Sequence, residues 1–163
     1  EAPPNASLGV GAATIILDSA THTLDISMAF SGLTGTTTAS HIHCCTATAG
    51  SGTAGVATET PTFVGFPLGV TAGTYSHIFD LTLASSWNPA FITANGGTPA
   101  SAEAVFEAAV AAGRTYLNVH TNVVPSGEIR GFLAEVPEPA TIGILLGGAL
   151  LAAGARGKRR HRA

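Results

Sequence analysis

"LDISMAF", residues 24–30, alternates without a fault: Leu24, Ile26, Met28 and Phe30 are apolar, and Asp25, Ser27 and Ala29 are polar or small. Successive side chains of a strand face opposite ways, so this pattern predicts a strand with one buried face. The apolar stretch "ATIIL" (13–17) precedes it across the polar turn "DSATHT", and the two read as a hairpin. "YSHIFDLTL" (75–83) alternates again, with His77, Phe79, Leu81 and Leu83 sharing a face. "RTYLNVHT" (114–121) and "GEIRGFLAEV" (127–136) give two more strands. The turn between them is "NVVPSG", where Pro125 fixes φ and Gly127 is free to take a positive φ.

One segment breaks the pattern. "TPASAEAVFEAAVAAG" (98–113) predicts a helix, with Thr98 as cap, Pro99 at its first position, Gly113 at its end, and Val105, Phe106, Ala109 and Val110 facing inward. Short strands separated by turns, with one short helix, predict an all-β chain, an antiparallel β-sandwich. Its expected core is drawn from Ile15, Ile16, Leu24, Ile26, Phe30 and Ile42 in the first half. Phe79, Leu81, Leu117, Val119, Ile129 and Leu133 complete it in the second.

The 163 residues suggest one domain plus tails. Only 10% are charged, against about 25% in ordinary soluble domains, which leaves a bland surface of Ala, Thr, Gly and Ser. Most of the basic residues sit in "RGKRRHR" at the C-terminus, so the body is acidic and lacks the basic patch that nucleic-acid binding requires. The opening "EAPPNAS" (1–7) reads as a mature N-terminal tail left after signal-peptide removal. Residues 140–155 carry no charge and are followed by Arg156, Lys158, Arg159 and Arg160. As a helix they would span about 24 Å, slightly short of a ~30 Å hydrocarbon core, with the basic end on the cytoplasmic side.

Pro137, Glu138 and Pro139, then the apolar run, then the basic tail resemble the PEP-CTERM sorting signal of Gram-negative bacteria over 137–163. The resemblance implies export, a transient inner-membrane anchor through residues 140–155, and processing by an exosortase. Release to the cell surface or extracellular matrix would follow. The body, residues 8–136, resembles the CHRD domain first named from chordin. His41-Ile42-His43 matches an early His-Ile-His strand, and Tyr116 to Thr121, Pro125, Gly127 and Glu128 to Gly131 match the later pattern. The chain departs from the family in placing Cys44-Cys45 where Gly-Pro usually follows the second His. The resemblance implies an immunoglobulin-like β-fold, similar in outline to copper–zinc superoxide dismutase.

If Ile42 points inward, His41 and His43 share the opposite face, and Cys45 joins them if the strand runs that far. If Leu117 and Val119 point inward, His120 faces outward, and by the same rule Glu128 and Arg130 flank Ile129 on the outside. Three His nitrogens suit copper first and zinc second, with an open coordination position. The alternative is that each His is an ordinary hydrogen-bonded residue. His22, His77 and His161 read as non-functional. The two adjacent cysteines admit a vicinal disulfide, a cross-link to another molecule, or a Cys45 thiolate on the metal. Glu128 and Arg130 read as a cross-strand ion pair holding the terminal hairpin.

Three functions compete. The first is a non-enzymatic binding or structural module among envelope or matrix components, supported by the tail, the bland surface and the lack of a local catalytic signature. The second is an extracellular copper-binding protein using His41, His43 and His120. A dismutase-like metalloenzyme ranks last, because no second His-rich ligand set follows "HIH".

Overall fold

A computed structural model describes residues 3–136. The sorting-signal residues, including Pro137, Glu138, Pro139 and the apolar run 140–155, lie outside the described residues. Among those described, no helix is long and apolar enough to cross a membrane.

The described residues form two antiparallel three-stranded sheets. The first contains β1 (Val10–Asp18), β2 (Thr23–Ser31) and β4 (Gly73–Asp80), in the order β1-β2-β4. The second contains β3 (Thr37–Cys44), β5 (Thr115–Thr121) and β6 (Ile129–Phe132), in the order β3-β5-β6. One hydrophobic core joins them. Leu24, Ile26 and Phe79 reach it from the first sheet, and Ile42, Leu117 and Val119 from the second, all buried. The all-β expectation and the alternation in β2 therefore hold.

Three of the expected core positions differ in degree and one in kind. Ile15, Ile129 and Leu133 are only partly buried. Ile16 is 59% exposed, while Ile15 and Leu17 pack against the core. The run "ATIIL" is a one-sided edge strand, so its alternate residue must face out. Leu83, expected beside Phe79 and Leu81, is 52% exposed, because β4 ends at Asp80 and the chain turns away.

Among the described residues there are two α-helices where one short helix was expected. The additional helix, α1 (Pro89–Ala94), has Asn88 as its N-cap, accepting from the Ala90 amide. Six residues are too few to show a helical period. In α2 (Pro99–Ala111), Thr98 and Ser101 form a reciprocal capping box, and Gly113 follows at φ 65°. Its buried face is Ala102, Glu103, Phe106 and Ala109, and Val105 lies at the surface. Phe106 meets the fully buried Trp87 edge-on, with ring centroids 5.5 Å apart, which fastens α2 to the core. Glu103 is tied to the turn residue His22, whose Nδ1 lies 3.0 Å from its carboxylate.

Candidate metal centre

β3 and β5 are direct neighbours. Their register places His41 opposite Asn118 and His43 opposite Tyr116. Ile42 and Leu117 take the inner face, so His41 and His43 share the outer face with Tyr116, Asn118 and His120. The three His rings cluster there. Ring centroids are 4.8 Å apart for His41 and His120, 5.5 Å for His41 and His43, and 5.7 Å for His43 and His120.

The outer face of β3 is covered, so His41 and His43 are 7% and 8% exposed. The long connection after β3 folds back along the strand's free edge. Gly55 accepts from the Cys44 amide, the Ala57 amide bonds to Ile42, and the Phe63 amide bonds to Ser40. This return carries two backbone carbonyls to the imidazoles. Nε2 of His41 lies 2.8 Å from the Pro61 carbonyl, and Nδ1 of His43 lies 2.9 Å from the Ala54 carbonyl. The turn after β5 supplies a third, with Nδ1 of His120 2.9 Å from the Pro125 carbonyl.

A carbonyl oxygen only accepts, so each of these ring nitrogens must carry the proton and donate. The opposite nitrogens, Nδ1 of His41 and Nε2 of His43 and His120, are then lone-pair acceptors. These three atoms are buried and unpartnered among the described residues. The group's ligand atoms lie within 4.8 Å of one another, positioned to hold a metal ion. Donation of the remote N–H to a carbonyl is how proteins fix the tautomer and aim of a metal-binding His. Burial holds His41 neutral, with its pKa pushed down to about 4 against the opposing bond to Pro61, and His120 and His43 lower it further. His43 is lowered as well, chiefly by burial, with His120 and Arg130 adding to the effect.

Cys45 does not join the group. Its sulfur is bonded to Cys44 in a vicinal disulfide, with Cys44 facing the core. β3 ends at Cys44, so strand alternation does not carry Cys45 to the His face. Glu128 also departs from the expected outer face, because β6 starts one residue after it and alternation does not govern it. Its buried carboxylate accepts from the hydroxyls of Ser7 (2.5 Å) and Thr121 (2.6 Å) and from the amides of Thr34 and Gly35. Burial opposes its ionisation, but these four donors prevail and hold its pKa down at about 2. These bonds replace the expected pairing with Arg130 and tie residues near the N-terminus to the β5–β6 turn. Arg130 instead lies over the rings of Tyr116 (4.8 Å) and Phe132 (5.3 Å), and its Nη1 donates to Gly52. Strand alternation puts Asn118 on this face, where it is buried beside the group with an unpartnered Oδ1, but sequence reasoning gave it no role and missed the three orienting carbonyls.

Residues 1–133 match the CHRD domain, and residues 135–160 match the PEP-CTERM protein-sorting motif. The chain belongs to the CHRD-domain family. No curated protein and no solved structure gives a match. The sorting motif implies export, processing by an exosortase and delivery to the cell surface. The CHRD body of this exported chain therefore carries a three-His group on the outer face of its second sheet.

Proposed function

We propose that this CHRD protein is a non-enzymatic metal-binding module on the surface of a Gram-negative bacterium, anchored transiently in the inner membrane before release. Its metal is copper, with zinc second, held by His41, His43 and His120 for storage, delivery or sensing. The observation that carries this reading is the set of three buried imidazole lone pairs, each turned inward by a carbonyl on the ring's other side. An ordinary hydrogen-bonded His has no reason to leave its second nitrogen buried and unpaired. Nitrogen donors suit copper and zinc over magnesium or calcium. Among the described residues there is no second group of three ligands of the kind a two-metal dismutase would need. The immunoglobulin-like or dismutase-like affiliation of the two sheets belongs to this proposal.

A contact role toward envelope or matrix components is favoured by one feature. Ile16 and Ile78, both mostly exposed, flank Asp25 on the outside of the first sheet.

The test is metal titration of the exported protein purified without chelator, alongside His41→Ala and His120→Ala. One metal ion per chain, lost in both variants, is the expected result. No binding above the level of either variant would refute the reading.

A further inference from the structure

We propose that the site holds copper in the cuprous state: the trio of His41, His43 and His120, whose free ring nitrogens are all buried, is built for a monovalent cation. This rests on the metal-binding reading above and adds the oxidation state.

The argument begins with charge. All three donors are neutral imidazoles whose protons are committed to the carbonyls of Pro61, Ala54 and Pro125. They bring no negative charge to the ion. The trio contains no carboxylate, and the nearby acidic residue of the β5–β6 turn, Glu128, is bound to Ser7, Thr34, Gly35 and Thr121 instead. The sulfurs of Cys44 and Cys45 are bonded to each other and supply no thiolate. A metal ion therefore keeps its full charge after it binds.

Burial then separates the oxidation states. The cost of moving an ion out of water rises with the square of its charge, so a divalent ion pays about four times what a monovalent one does. His41 and His43 are almost wholly shielded from solvent.

Coordination number points the same way. Cupric ions favour tetragonal sites with four or more nitrogen or oxygen donors, and zinc on three His completes its tetrahedron with a water. Three nitrogens satisfy a cuprous ion, whose filled d shell accepts a trigonal array. Donors about 2.0 Å from such an ion would stand about 3.5 Å apart. The trio, spaced within 4.8 Å, needs only a modest contraction to reach this.

The experiment is competition for metal by the exported protein. Cuprous copper is offered anaerobically against a coloured cuprous chelator, and cupric copper and zinc are offered in air against an aminocarboxylate chelator. The expected result is a dissociation constant at least about 100-fold lower for cuprous than for cupric copper, with zinc also weaker than cuprous copper. Cupric copper or zinc binding as tightly as cuprous copper overturns this inference and leaves the metal-binding reading standing. Failure of all three ions to bind overturns both. The comparison of ions on the native protein decides the question without any variant that could fail to fold.

Discussion

The imidazole of His43 lies flat on the ring of Tyr116, with centroids 4.7 Å apart and planes 4° from parallel. The two residues also share Ala54: its carbonyl accepts from His43, and its amide donates to the Tyr116 hydroxyl at 3.2 Å. Tyr116 thus sets both the tilt of a candidate ligand and the position of the carbonyl that orients it. Tyr116→Leu should weaken metal binding about tenfold, the usual scale for losing an outer-shell support. Tyr116→Phe keeps the stack and should cost only about 1 kcal/mol of stability. Chelator competition and urea unfolding separate the two effects. Equal metal affinity in the native and Leu proteins would remove Tyr116 from the site.

Glu128 should govern the acid limit of the fold. Its carboxyl is held at about 2 in the folded chain, against an ordinary value of 4.5. The unfolded chain therefore binds the proton more readily between those values. The stabilisation is present above pH 4.5 and is lost as pH falls toward 2. Urea unfolding midpoints measured from pH 7 to pH 2 should fall in that window. Glu128→Gln should lower stability at pH 7 by about 1.5–3 kcal/mol and flatten the acid limb. An unchanged acid limb would show that another group sets it.

Gly127 makes the same turn possible. Its φ is +123°, which L side chains rarely adopt, and a Cβ there would collide with the side chain of Asn118. Gly127→Ala should cost about 1–3 kcal/mol and displace Asn118 from beside the His group. Thermal unfolding reports the first effect, and metal affinity the second. A variant as stable as the native protein would mean that the turn relaxes freely.

Much of this was legible locally. The alternation of residues 24–30 gave β2, and Ile42 as an inward residue put His41 and His43 together. What sequence could not supply was the pairing of β3 with β5, a contact between segments far apart in the chain. Only that pairing brings His120 to the other two. Period-2 reasoning also fails where strands stop. It misplaced Glu128, one residue before β6, and it could not assign Cys45, one residue after β3. The orienting carbonyls of Ala54 and Pro61 come from an irregular return along the β3 edge, which has no periodic signature. Ile16 was misread because three consecutive apolar residues conceal which of them faces out.

The cysteines should prove dispensable for the metal. Both are consumed in their mutual bond, and the described residues contain no free thiol. The exported protein should resist thiol alkylation until a reductant is added, then take up two labels by mass spectrometry. The double variant Cys44→Ala/Cys45→Ala should bind the same number of metal ions as the native chain, because the ligands are three nitrogens. Loss of metal in that variant, with the fold intact by circular dichroism, would return sulfur to the site.

The sorting signal makes a prediction that is independent of the metal. The PEP-CTERM match spans residues 135–160, and the CHRD match ends at residue 133, so recognition by the processing enzyme and folding of the body draw on separate stretches of chain. Proline is the least replaceable element of a Pro-Glu-Pro motif, because its fixed φ and missing N–H are shared by no other residue. Pro137→Ala/Pro139→Ala should therefore accumulate at full length in the membrane fraction, while the native protein appears in shortened form at the cell surface. The retained protein, extracted in detergent, should still bind metal, since His41, His43 and His120 all lie in the body. Normal release of the double variant would contradict the sorting assignment. Retention with loss of metal would show that body and signal are not separable.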